Sequence, residues 1–159
     1  MPHFIQLPVL FVSFLLLLPY GSLQAEPAAQ QGVKSGPIIH VWKRDSCGCC
    51  NKWIEHLQAH GFQVKAQSVA SLAEVKRKFN VTPALGSCHT GLVEGYVIEG
   101  HVPAGDIKRL LEDKPKVKGL AVPGMPLGSP GMEQADGTKE AYEVLSFDEA
   151  GKTEVFARH

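Results

Sequence analysis

Beyond residue 36 the apolar positions follow two periods in turn. Pro37-Ile38-Ile39-His40-Val41-Trp42 is a short β-branched and aromatic run and predicts a strand. Asp45 or Ser46 is placed to cap a helix after it, in which Trp53, Ile54 and Leu57 recur at helical spacing and which Gly61 would stop. Phe62 to Ala66 alternates as a half-buried strand does. Ser71-Leu72-Ala73-Glu74 reads as a capping box, with Leu72, Val75 and Phe79 along one face of a second helix. The order β-α-β-α opens an α/β domain.

Thr82-Pro83 breaks the pattern. From Cys88 the chain turns strand-like again: Leu92-Val93, a Glu94-Gly95 turn, then Tyr96-Val97-Ile98, a hairpin. Pro103 suits the first position of a third helix whose buried face is Ile107, Leu110 and Leu111. Pro115 to Gly137 is rich in Pro and Gly without a period. So long a structureless segment inside one domain is usually functional. Tyr142–Phe147 and Thr153–Ala157 alternate on either side of an Asp148–Lys152 turn and predict a closing antiparallel hairpin.

The start of the chain differs from all of this. Val9 to Leu18 is apolar except for Ser13, too short for the roughly 20 residues a spanning helix needs. It fits the core of a secretory signal peptide, with cleavage after Ala25, although no Lys or Arg precedes it. The expected organisation is a signal peptide over 1–25, a polar flexible linker over 26–36 and one domain over 37–159. A periplasmic location without stable membrane insertion follows. Lys+Arg and Asp+Glu both number 16, so the charge balance recommends no nucleic acid as partner.

The four cysteines are Cys47, Cys49, Cys50 and Cys88. Three fall within four residues, which is unlike a dispersed disulfide framework and like a site. The cluster sits between a strand and a helix start, where free amide N–H groups and the helix dipole favour thiolate. Cys47 and Cys50 have the spacing of a redox dithiol, and Cys49 is a thiol such a pair does not need. Cys88 opens a later strand that a β-α-β fold can bring beside the first helix. Alternation of strand faces ranks His89 below Cys88, whereas His101, at a strand end, is better placed to turn inward. His40, His56, His60 and His159 read as structural or solvent-facing. Met125 and Met132 each close a Pro-Gly-Met tripeptide in the Pro/Gly segment. Thioethers suit Cu(I) and are rare on zinc, so Cys, Met and His together favour copper.

The ordered set of motifs resembles the CopG-like family of exported copper-resistance proteins. The stretches that carry it are Cys47-Gly48-Cys49-Cys50 with Trp53, Ser87-Cys88-His89-Thr90, Gly95 to Pro103, Gly119 to Pro126 and Gly128 to Glu133. The resemblance implies a thioredoxin-like fold, a central mixed sheet flanked by helices, to which the C-terminal β-hairpin is an addition. It implies a multinuclear copper cluster with Cys47, Cys49, Cys50 and Cys88 as ligands, completed or covered by His101, Met125 and Met132. It also implies a role in copper resistance, with interconversion of Cu(I) and Cu(II) as its catalytic form. Pro83 lies five residues before Cys88, so it is not assumed to be the cis-proline of ordinary thioredoxins.

Three functions compete. The first is a copper-binding redox or sequestration protein. The second is a thiol–disulfide oxidoreductase using Cys47 and Cys50, which should survive loss of Cys49, Cys88 and Met125. The third is a passive chaperone that hands copper to other periplasmic copper-handling proteins through the Met loop. All three compete with the resident disulfide machinery, and oxidation across Cys47 and Cys50 would oppose copper loading in the first and third.

Overall fold

In the computed structural model the described residues are Met1, His3 and 36–159. The apolar run of 9–18, the cleavage position and the linker up to residue 35 lie outside them. Among the described residues no helix is long and apolar enough to cross a membrane.

Strand β1 (Ile38–Lys43) leads into helix α1 (Gly48–Ala59), followed by β2 (Gln63–Ser68) and helix α2 (Leu72–Lys78). A short 3₁₀ turn (Pro83–Leu85) precedes the hairpin of β3 (His89–Val93) and β4 (Tyr96–Glu99). Helix α3 (Ala104–Asp113), β5 (Gly119–Ala121), β6 (Glu143–Phe147) and β7 (Thr153–Arg158) complete the chain. The seven strands form one mixed sheet in the order β2-β1-β3-β4-β5-β6-β7. β1 runs parallel to β2 and antiparallel to β3, which places β3 beside the strand that feeds α1. This pairing brings Cys88, just before β3, next to the cysteines at the start of α1. β4 pairs in parallel with β5, and the other neighbours are antiparallel.

The α/β class, both hairpins and all three helices agree with the sequence reading, and several details do not. Neither Asp45 nor Ser46 caps α1; Cys47 occupies that position without a side-chain capping bond, and Asp45 Oδ1 accepts a hydrogen bond from Ser68 instead. Ser71 is the N-cap of α2, but the reciprocal side-chain bond of a capping box does not form. Pro103 caps α3 rather than entering it. The strand expected from Phe62 starts one residue later and is almost wholly exposed, because β2 is an edge strand. Its polar residues, Lys65 among them, suit an edge that must not pair with a second chain. The Pro115–Gly137 segment contains β5, fully buried between β4 and β6. A three-residue strand is too short to show a period of its own.

The core has two parts. Trp53, Leu57, Ile98, Ile107, Leu110 and Leu120 belong to the larger one, and Val97, Ala121, Leu85 and Phe147 to the smaller. Neighbours Val97 and Ile98, and likewise Leu120 and Ala121, fall in different clusters. That is the two-residue alternation of strands with both faces covered.

Candidate metal centre

The chain leaves β1 through a turn closed by Cys47 N–H donating to the Arg44 carbonyl at 3.2 Å. The buried Lys43 ammonium straps that turn by donating to the carbonyls of Arg44 and Asp45 at 3.3 and 3.4 Å. Cys47 is therefore delivered to the N-cap of α1, and Cys49 and Cys50 follow in its first turn.

Cys47 and Cys50 form a disulfide, and Cys49 and Cys88 are free thiols. The Sγ atoms of Cys49 and Cys47 lie 3.6 Å apart, those of Cys49 and Cys88 3.7 Å, and those of Cys50 and Cys88 3.5 Å. All four sulfurs fall within 4.8 Å of one another. Cys88, just before β3, is not part of the helix start. Burial, then the neighbouring Cys49, push its thiol up to about 12.

His101 Nε2 lies 3.1 Å from Cys88 Sγ, and its Nδ1 lies 2.8 Å from the Pro130 carbonyl. A carbonyl only accepts, so Nδ1 carries the proton and the Nε2 lone pair faces the thiols, the arrangement a metal-ligating imidazole adopts. His89 joins the same group: its Nδ1 is 3.4 Å from Cys88 Sγ, and Cys88, His89 and His101 form a second cluster of ligand atoms. The His89 ring is fully buried against Trp53, 4.2 Å between centroids, and its Nε2 has no hydrogen-bond partner. Burial lowers the pKa of both histidines, most strongly for His89, where the nearby His101 and Lys76 add to it. Both rings are thereby held neutral, the form that ligates metals. The sequence reading ranked His89 low because strand neighbours point to opposite faces. Cys88 lies outside β3, so the rule does not bind the pair. The other histidines behave as expected. His56 Nε2 accepts from the Ala104 amide, and His159 pairs with Asp106.

The position of Cys88 is fixed from behind by an ionic knot the sequence reading did not single out. The fully buried Glu99 carboxylate pairs with the Lys76 ammonium and accepts hydrogen bonds from Thr90 Oγ1 at 2.7 Å and Ser87 N–H at 2.6 Å. The available signal was a carboxylate ending the apolar run Tyr96-Val97-Ile98.

Both Pro-Gly-Met tripeptides seat a glycine against a cysteine-bearing segment. Gly124 donates its N–H to the Gly86 carbonyl at 3.1 Å and accepts from the Ser87 hydroxyl, one residue before Cys88. Gly131, at φ +86°, lies so close to α1 that a Cβ would sit 2.7 Å from the Cys49 carbonyl oxygen and 2.8 Å from Trp53 N. Met125 and Met132 thus follow directly on the two contacts, Met125 exposed at 51% and Met132 half-buried. The structure brings the four cysteines and His101 together; the two methionines lie on the segments that cover them.

Two solved structures are similar to this chain, both described as copper resistance protein CopG, in forms 1 and 2. Each is 44% identical with a TM-score of 0.73; they cover 78% and 77% of this chain, and this chain covers 98% of each of theirs. The chain belongs to the CopG copper-resistance family. A family described as "Protein of unknown function, DUF411" matches residues 85–132, the part of this CopG family member that holds Cys88, His89, His101, Met125 and Met132. Among curated proteins no match was found.

Proposed function

We propose that this CopG family member is an exported, periplasmic copper-binding protein of copper resistance. Its signal peptide is 1–25, its linker 26–36 and its working domain 37–159. Cys47, Cys49, Cys50, Cys88 and His101 hold copper, with His89 as a further nitrogen donor and Met125 and Met132 covering the site. The observation that carries this reading is that four sulfurs lie within 4.8 Å of one another, and that one of them, Cys88, also lies within 4.8 Å of the ring nitrogens of His89 and His101. Sulfur separations of 3.5 to 3.7 Å support it. Metal–thiolate bonds of about 2.3 Å give tetrahedral edges of nearly that length. A donor set this rich in sulfur fits Cu(I), and more thiolates than one ion needs favour several ions bridged by sulfur. Adjacent ions that exchange single electrons would give interconversion of Cu(I) and Cu(II). The strand order β2-β1-β3-β4, with α1 after β1 and α3 after β4, supports a thioredoxin-like scaffold carrying the C-terminal hairpin as an addition.

The test is metal stoichiometry on the compact unit Val33–His159, reduced and loaded anaerobically with Cu(I). Two or more coppers per chain are expected, with loss of all but one in Cys49→Ser. A single copper that tolerates Cys49→Ser would refute the cluster.

A second reading has its own observation. The Cys47–Cys50 disulfide at the start of α1 is the arrangement of a thiol–disulfide oxidoreductase. That activity should be indifferent to Cys49→Ser and Cys88→Ser, whereas copper binding should not.

A further inference from the structure

Cys47 of the disulfide borders a cavity of about 350 Å³ between the β1–α1 turn, α2 and the Ser87-Cys88 segment. Its walls differ in character. Leu72 and Ala73 supply an apolar side, Arg44 is exposed beside it, and Cys47 and Cys88 bring their sulfurs to the wall. Lys76 also lines it, but its charge is matched by Glu99. Among the described residues Arg44 has no carboxylate within salt-bridge distance, so it is the unneutralised charge of the wall. Of the two disulfide sulfurs, Cys50 belongs to a fully buried residue, and Cys47 to a half-exposed one that borders the cavity.

We infer that this cavity admits a small thiol bearing a carboxylate, which reduces the Cys47–Cys50 disulfide by attacking Cys47. The carboxylate is met by Arg44 and the carbon skeleton by Leu72 and Ala73. The thiolate sulfur bonds to Cys47 Sγ, the Cys47–Cys50 bond breaks, and its electron pair goes to Cys50 Sγ, which takes up the proton the thiol released. A second molecule of the thiol attacks the sulfur of the first, leaves with it as a disulfide, and returns Cys47 as a thiol. Two small thiols are oxidised to one disulfide while the protein disulfide is reduced to two thiols. The inference rests on the cysteine quartet being the working site, though not on copper as its occupant. On the copper reading this step frees the two sulfurs that the disulfide withholds.

The experiment uses glutathione as the carboxylated probe and 2-mercaptoethanol as the uncharged one, each added to the oxidised Val33–His159 unit. Free thiols are counted over time, and the first mixed disulfide is located by peptide mass spectrometry. The adduct is expected on Cys47. Arg44→Ala should slow glutathione roughly twofold to fivefold, the range of one exposed ion pair, and leave 2-mercaptoethanol unchanged. Ala73→Trp, which fills the cavity from the surface, should slow glutathione further. The pre-reduced Ala73→Trp protein should still bind its full Cu(I), which separates failure here from failure of the copper reading. A first adduct on Cys49, Cys50 or Cys88, or glutathione rates unmoved by both substitutions, would overturn the inference.

Discussion

Gly131 offers the most direct test of how the Pro/Gly segment serves the site. At φ +86° an alanine is strained in any surroundings, by roughly 1–2 kcal/mol. Its Cβ would also meet the Cys49 carbonyl oxygen at 2.7 Å and Trp53 N at 2.8 Å. Both are backbone atoms of α1 and cannot turn aside, so a further overpacking cost of about 1–3 kcal/mol is expected. Gly124 is the matched control. It has φ +70°, but a Cβ there meets nothing within 4 Å, so Gly124→Ala should cost only the conformational part. Urea unfolding of the reduced unit should therefore show Gly131→Ala the less stable of the two by about 1–3 kcal/mol. The segment can escape the clash only by lifting from α1, which draws the Pro130 carbonyl off His101 Nδ1. Loss of such an outer hydrogen bond lowers metal affinity on the order of 10- to 100-fold. A Cu(I) competition titration should show that loss in Gly131→Ala and not in Gly124→Ala. Equal stabilities together with equal copper affinities would refute the claim that this contact holds the site together.

Three further outcomes are expected. Glu99→Ala leaves Lys76 without its partner and the Ser87 amide without its acceptor, and should cost about 3 kcal/mol in thermal unfolding, the range for breaking a buried pair. The folded-state pKa values of His89 and His101 lie below the ordinary 6.5. As pH falls past that value the unfolded chain takes up protons first, so stability of the copper-free protein is intact above about pH 6.5 and declines below it; His89→Gln should flatten that decline in a urea series. Thiol counting on the unfolded, oxidised unit should find two free thiols, Cys49 and Cys88, and four after reduction; four without reductant would contradict the disulfide.

Much of this was legible in the chain, and for identifiable reasons. The cysteine cluster announced itself because three thiols in four residues serve no ordinary disulfide framework. Both hairpins carried turn residues between alternating runs, and Glu94 and Gly95 do adopt positive φ at the first of them. What stayed hidden depended on pairing across the sheet. β5 is three residues long and is a strand only because β4 and β6 flank it. Alternation of strand faces ranks His89 below Cys88, but that rule holds for strand interiors and does not reach the residue at a strand's start. Lys76 and Glu99 are 23 residues apart, and nothing in either neighbourhood points to the other. The matched Pro-Gly-Met tripeptides were read for their sulfur, whereas the structure shows the glycine of each making the contact that seats the segment.

The disulfide and the copper reading are two states of the same four sulfurs. A sulfur bonded to another sulfur offers no thiolate, so Cys47 and Cys50 cannot hold copper while oxidised. Copper binding to the reduced quartet must then stabilise the reduced form by mass action, and oxidation must weaken copper binding by the same factor. Cys49 and Cys88 make that coupling useful. They remain free in the oxidised form, 3.7 Å apart and beside His101, so a small donor set persists when the larger one is closed. On this reading the oxidised domain keeps a weak site and the reduced domain a strong one. The affinity difference between them equals the shift that bound copper makes in the reduction potential of Cys47 and Cys50. Titrating Cu(I) into both forms should show fewer and weaker ions in the oxidised one, and the disulfide should become harder to re-form as copper is added. Identical isotherms for the two forms would mean that Cys47 and Cys50 are not ligands, and the copper site would shrink to Cys49, Cys88 and the histidines.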